Sequence, residues 1–211
     1  MSTKSKIKHV AIAGNIGAGK TTLAEMLGKH FKWEVQYEDV ENNPYLFDFY
    51  QDMPRWSFNL QVYFLNSRFQ QILKIQQGSK TVIQDRTIFE DAKIFAPNLH
   101  AMGLMSSRDF DNYTNLFHSI SSMLAPPDLL IYLKATIPTL VSQIQKRGRD
   151  YEDNLRLDYL RRLNDFYEEW IGNYKEGNLL VIDVDKNKFA ENAEDLGEVI
   201  NKVSAEIYGL F

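Results

Sequence analysis

The sequence predicts an α/β protein: one five-stranded parallel sheet with helices on both faces. Three observations lead there. Short apolar runs alternate along the chain with longer stretches of helical periodicity, which is the rhythm of βα units. The first run opens into a glycine-rich loop that leads directly into a helical pattern. A later run, Leu129-Leu130-Ile131-Tyr132-Leu133, is set off by Pro126-Pro127, through which no helix continues.

In order, the expected strands are Val10 to Ala13, Trp33 to Tyr37, Thr81 to Gln84, Asp128 to Leu133 and Leu179 to Ile182. A helix near 19–30 follows the glycine loop, and long helical patterns fill 55–77, 106–124, 136–147, 155–175 and 190–208. No internal repeat, linker or charge block divides the 211 residues, so one domain over 1–211 is expected. In such sheets ligands bind beyond the carboxyl ends of the strands, so polar residues just after each strand carry the most functional information.

Composition narrows the function classes. Apolar residues make up 44% and charged residues 25%, which excludes disorder and fibre. Lys and Arg total 24 against 28 Asp and Glu, a net charge of −4. That balance lacks the broad positive field of a nucleic-acid binder, while leaving room for a local basic pocket. The absence of cysteine excludes disulfides, thiolate metal sites and a cysteine nucleophile. No apolar run reaches a membrane-spanning length, and the basic start Met1 to His9 is not followed by a signal-like apolar stretch. No membrane partner and a cytoplasmic protein are the expectation. The histidines at 9, 30, 100 and 118 have no metal-ligand spacing.

Gly14-Asn15-Ile16-Gly17-Ala18-Gly19-Lys20-Thr21 fits G-x-x-x-x-G-K-[ST] in full. Glycines let the backbone turn tightly and approach an anion, and successive N–H groups with the helix N-terminus then form a phosphate cradle. Lys20 would reach the β- and γ-phosphates of a nucleoside triphosphate, and the Thr21 hydroxyl would ligate Mg²⁺. Glu38-Asp39 follows the second strand and Asp85-Arg86-Thr87 the third, so both groups face the loop's edge of the sheet. A carboxylate there can take a proton from an attacking hydroxyl, and an arginine can clamp phosphate oxygens. Lys146-Arg147-Gly148-Arg149 has the make-up of a glycine-hinged flap that closes positive charge on a transferring phosphoryl group.

Taken together these residues resemble the deoxyribonucleoside kinases over nearly the whole chain. The family's P-loop is matched by Gly14 to Thr21, and its catalytic carboxylate by Glu38 in Glu38-Asp39-Val40. Its aromatic segment is matched by Tyr50, Trp56, Ser57, Phe58 and Gln61, and its acidic-Arg-Ser motif by Asp85-Arg86-Thr87 with Asp91 and Ile94-Phe95-Ala96. Its arginine lid, near 147–154, is matched by Arg147-Gly148-Arg149 with Glu152. Glu41-Asn42-Asn43-Pro44-Tyr45 looks like the bacterial deoxyadenosine and deoxyguanosine kinase branch. The chain departs in having Asp39 where a proline is frequent, Asp85 for the commoner Glu, and Gln143 where some members have a further lid arginine.

The resemblance implies a P-loop kinase fold and ATP-dependent phosphorylation of the 5′-hydroxyl of a deoxyribonucleoside in nucleotide salvage. Deoxyadenosine is the expected acceptor, with deoxyguanosine or deoxycytidine as alternatives. Glu38 would be the general base, with Lys20 and Arg86 completing the catalytic set. Thr22, Arg147 and Arg149 would join the loop on the ATP phosphates, and Asp85 would hold Mg²⁺ through water beside Thr21. Tyr50 and Glu152 would bind the sugar 3′-hydroxyl, Gln61 the base edge, and Phe95 would stack on the base. Arg68 and Asp91 match the pair of purine and cytosine kinases. On a helix, Gln61 and Arg68 lie within about 20° of one face, with Phe64 and Leu65 between them. Asp91 and Phe95 share a face of the following helix. Trp56, Phe58 and Tyr63 read as core. A homodimer through the 55–77 and 106–124 helices is a further family expectation.

Two other functions fit the loop alone. A nucleoside monophosphate kinase of the same architecture would need cations around the acceptor phosphate, whereas Gln61, Tyr50 and Glu152 suit a neutral sugar and base. A non-catalytic nucleotide switch would tolerate loss of Glu38, and no N-K-x-D guanine-reading sequence supports a GTPase.

Overall fold

The structure, a computed structural model, describes residues 7–38, 40, 42–149 and 155–209. Five strands form one parallel sheet: β1 (His9–Gly14), β2 (Glu34–Gln36), β3 (Val82–Asp85), β4 (Leu129–Lys134) and β5 (Asn178–Asp183), in the spatial order β2-β3-β1-β4-β5. β1 is central and every one of its residues is buried. Helices cover both its faces, so an unbroken apolar strand is stable there. The register pairs Ile12 with Asp85 and Gln36 with Gln84. The ends of β1, β3 and β2 therefore lie side by side, and the loops after them converge. The chain also reverses its direction of winding about β1, which opens the crevice in which such sheets bind ligands.

Around the sheet lie α1 (Lys20–Phe31), α2 (Leu46–Gln51), α3 (Met53–Gln77), α4 (Ile88–Glu90), α5 (Ala96–Ala101), α6 (Ser107–Ser121), α7 (Ile137–Arg147), α8 (Leu157–Gly172) and α9 (Ala193–Tyr208). α3 starts two residues before the expected 55: Asp52 caps it by accepting from the Arg55 N–H, and Pro54 sits in the first turn, where its missing N–H costs nothing. The second strand is shorter than Trp33 to Tyr37, because only Glu34, Val35 and Gln36 pair with β3. α2 was not expected; its six residues are too few to show a helical period.

The helix carrying Asp91 and Phe95 is present but irregular. Between α4 and α5, Asp91–Phe95 form a π-helical turn in which the Ala96 N–H reaches back five residues to the Asp91 carbonyl. Pro97 follows at once. It has no N–H for the Lys93 carbonyl, and its ring would crowd that carbonyl in a regular helix; a wider turn relieves both problems. Trp56, Phe58 and Tyr63 are half-buried rather than core, and the Arg55 guanidinium covers the Trp56 ring at 4.4 Å. No helix among the described residues is long and apolar enough to cross a membrane.

Gly17 shows how tightly the fold grips the glycine loop. Its φ is +85°, and a Cβ there would lie 2.8 Å from both the Leu140 carbonyl oxygen and Ile144 Cγ1 of α7. Gly17→Ala is expected to reshape the loop and, if the loop holds ATP as its motif implies, to weaken that binding at least about tenfold, with a smaller loss of stability. Isothermal calorimetry with ATP checks it; unchanged affinity would show that the loop tolerates the displacement.

Candidate active site

The converging strand ends build one open cleft of about 1150 Å³. Ile16, Gly17, Gly19, Lys20, Thr21 and Thr22 form its floor; Glu38, Asp85 and Arg86 also line it, as do Arg147 and Arg149. Gly148 between these arginines has φ +62° and ends α7 in a left-handed turn, which sets the two side chains on a glycine pivot. Gly14, Asn15 and Ala18 lie behind the floor. The buried Asn15 side chain faces away from the cleft: its Nδ2 donates to the Leu160 carbonyl at 3.0 Å and to Asn164 Oδ1 at 3.1 Å, tying the loop to α8.

Lys20 is buried, and its Nζ donates to the Gly14 carbonyl at 2.9 Å and the Asn15 carbonyl at 3.1 Å. Burial and the nearby Arg86 lower its pKa to about 8, against the pull of Asp85, Glu90 and Glu38. Thr21 Oγ1 donates to Asp85 Oδ2 at 2.5 Å. The other oxygen, Asp85 Oδ1, is buried without a hydrogen-bond partner.

Glu38 is 21% exposed and sits between two buried guanidinium groups: its Oε1 is 2.6 Å from Arg68 NH2 and 3.4 Å from Arg86 Nε. Burial alone would raise its pKa; Arg86, Arg68 and Lys20 outweigh burial and hold it at about 2. Arg86 has φ +70°, rare for a residue with a side chain, and its guanidinium lies 4.4 Å above the Phe95 ring. Gln61, Phe64, Leu65 and Arg68 are all buried on one face of α3, as the helical spacing requires. Arg68 NH1 is 2.9 Å from Asp91 Oδ2, with the Phe64 ring 4.5 Å below the guanidinium. Burial raises the Asp91 carboxyl to about 7, only partly offset by Arg68 and Arg86. Tyr50, Gln61, Asp91 and Phe95 line a smaller pocket of about 40 Å³ whose lining shares Ile16, Leu46, Tyr50, Phe64 and Arg86 with the cleft. Glu152, Asp39 and Glu41 lie outside the described residues.

The cleft thus joins a phosphate cradle to a carboxylate flanked by arginines, and that combination has relatives. The family model for deoxynucleoside kinase matches residues 10–208. The chain belongs to the deoxynucleoside kinase family. It is 33% identical to the deoxyadenosine/deoxycytidine kinase of Bacillus subtilis over 94% of this chain and 93% of that protein. It is 37% identical to a Lactobacillus johnsonii deoxyguanosine kinase over 94% and 92%. It is 44% identical to a Dictyostelium discoideum deoxyadenosine kinase over 77% of this chain and 66% of that protein. Among solved structures, the deoxyadenosine kinase of M. mycoides with products dCMP and dCDP superposes with a TM-score of 0.84 at 29% identity, covering 93% of this chain and 99% of that one. The same enzyme with bound dATP gives 0.83 at 29% identity, again over 93% and 99%.

In this deoxynucleoside kinase several residues that shape the site escaped the sequence reading. Glu90 is fully buried and joins three elements: it accepts from the Gly14 N–H at 3.3 Å, the Thr87 N–H at 2.8 Å and the Tyr167 hydroxyl at 2.7 Å. It thereby braces the turn that gives Arg86 its strained backbone. The Thr87-x-x-Glu90 spacing is the capping-box signal that marks it in the sequence. Asn164, which receives Asn15, carried no such signal. The contact between Arg68 and Glu38 was also missed, because α3 and the end of β2 meet only in the folded chain.

Proposed function

We propose that this kinase transfers the γ-phosphoryl group of ATP to the 5′-hydroxyl of deoxyadenosine with Mg²⁺, Glu38 being the general base. The carrying observation is the shared cleft, in which the Glu38 carboxylate and the Lys20 cradle face one space and the Arg86 charge acts on both. Phosphoryl transfer asks mainly for alignment and neutralisation of charge. Lys20, Arg86, Arg147 and Arg149 supply the positive groups, with the Thr22 hydroxyl and the loop N–H groups on the phosphates. Lys20 gives up two loop carbonyls as it turns to a phosphate. The lone oxygen Asp85 Oδ1, beside Thr21, suits a hard cation, so these two residues would hold Mg²⁺. When bound, the ion adds positive charge beside the phosphate oxygens.

For the acceptor, Gln61 Oε1 is buried with no partner, an acceptor for an exocyclic amino group such as that of adenine. Arg68 and Asp91 flank the same face. Tyr50 is assigned to the 3′-hydroxyl, together with Glu152. Phe95, which lines the inner pocket with Arg86 over its ring, is assigned to stack on the base. The inner pocket has room for a few waters rather than a nucleobase, so base entry requires these side chains to part. A single domain serves both substrates in this reading. A second copy would dock on the α3/α6 side, where Leu116 is 41% and Met123 60% exposed; sedimentation at micromolar protein checks that.

The test is a panel of ribo- and deoxynucleosides with ATP and Mg²⁺, following ADP release. Deoxyadenosine is expected to give the highest kcat/KM. Higher kcat/KM with deoxyguanosine or deoxycytidine would overturn the base assignment, and preference for a monophosphate would overturn the acceptor class.

A further inference from the structure

His9, Gln84 and Gln71 take no part in the chemistry proposed above, yet they form one continuous hydrogen-bond chain across the sheet. His9 on β1 is buried, and its Nε2 lies 2.9 Å from Gln84 Oε1 on β3. Gln84 is fully buried, and its Nε2 donates to Gln71 Oε1 on α3 at 2.9 Å. Gln71 Nε2 donates in turn to the backbone carbonyl of Tyr37, again at 2.9 Å. That carbonyl belongs to the peptide joining Tyr37 to Glu38.

The place where the chain ends matters. The β2–β3 ladder stops at Gln36 opposite Gln84, so Tyr37 and Glu38 leave the sheet without ladder bonds. Gln71 takes over where the ladder stops. It lies three residues after Arg68 on α3, which places both on one face of the helix. α3 therefore grips Glu38 at two points: the preceding peptide through Gln71 and the carboxylate through Arg68.

The chain also has a direction. With Gln84 Nε2 turned to Gln71, the Gln84 oxygen is left to accept from His9, which sets the ring in its Nε2-protonated form. Burial lowers the His9 pKa to about 4, so the ring stays neutral near pH 7. A reversed Gln71 amide would point its oxygen at the Tyr37 carbonyl and its NH₂ at that of Gln84, two repulsive contacts. The three side chains thus hold one another in a single polarity.

We propose that Gln71 is a positioning residue, held in orientation by Gln84, which holds the Tyr37–Glu38 peptide so that the Glu38 carboxylate stays between Arg68 and Arg86 and faces the cleft. This rests on the reading of Glu38 as base only for its effect on turnover; the placement of the carboxylate is measurable by itself.

The experiment uses Gln71→Met, which keeps the length of the side chain and removes its donor, and Gln84→Met, which releases Gln71 from its orientation. The Glu38 carboxyl carbon is titrated by ¹³C NMR in the wild type and both variants, alongside kcat, KM and thermal melting. In Gln71→Met the Glu38 pKa is expected to climb toward the ordinary value of about 4.3. kcat is expected to fall about 10- to 100-fold, the effect of a small misplacement of a reacting group, with the KM for ATP within about twofold. Gln84→Met is expected to shift both quantities the same way by less. A Glu38 titration unchanged in folded samples of both variants would overturn the proposal whatever the activity does. A shifted titration in an enzyme whose Glu38→Gln variant keeps its turnover would uphold the positioning role and remove only the base assignment.

Discussion

Replacing Glu38 by glutamine is expected to lower kcat about 10²- to 10⁴-fold while leaving the KM for ATP within about twofold. Glutamine keeps the shape of the side chain but cannot take the hydroxyl proton. The carboxylate is a weak base in the unliganded protein, since Arg86, Arg68 and Lys20 overcome the effect of burial and hold its pKa at about 2. A loose phosphoryl-transfer transition state demands little proton removal until late, so a weak base in the right place is sufficient. Undiminished kcat in Glu38→Gln would assign the proton to another acceptor. The same variant has a stability signature. A carboxyl depressed in the folded state contributes stability that is full above its ordinary pKa and disappears as the pH falls toward about 2. The melting-temperature gap between wild type and Glu38→Gln should therefore be widest near neutrality and close in acid. A gap independent of pH would show that the arginines do not act on this carboxylate.

Arg68→Met is expected to destabilise the protein by about 3–5 kcal/mol, because it strands Glu38 and Asp91 beside each other with one cation fewer. Adding Asp91→Leu should restore much of that loss, since the double variant buries no unpaired Asp91. Urea denaturation of the two variants measures both effects. The double variant should also change base preference more than it changes the KM for ATP. Arg68 Nε and NH1 and Asp91 Oδ2 are buried without a well-aligned hydrogen bond in spite of their proximity. A network incomplete in this way gains most from a ligand that finishes it. If the nucleoside panel kept its rank order in the double variant, the pair would be structural only.

The parts of this site that were legible in the sequence are those written in local chemistry. The glycine spacing of 14–21, the acidic and basic residues just after β2 and β3, and the glycine at 148 between two arginines each stand out within a few residues, and the structure brings them to one cleft. The five-stranded parallel sheet followed from the βα rhythm, and the shared face of Gln61 and Arg68 from helix geometry. What was not legible depends on tertiary contact. Asn15 belongs by pattern to the phosphate loop, but its side chain serves α8; Arg68 was paired with Asp91, but its shorter contact is to Glu38. Trp56, Phe58 and Tyr63 have core-like composition, and only the packing of α3 shows that they lie at its margin.

The π-helical turn at Asp91–Phe95 makes the length of this segment as important as its composition. Shortening it by one residue, at Ala92 or Lys93, would close the wide turn and bring the Pro97 ring back against the carbonyl four residues before it, the clash that the π-turn relieves. Asp91 and Phe95, then three apart, would still share a face, so the cost falls on the backbone and not on which residues line the pocket. Point substitutions at these two intervening positions should be absorbed with little consequence, whereas a single-codon deletion should cost about 3 kcal/mol of stability, read by thermal melting.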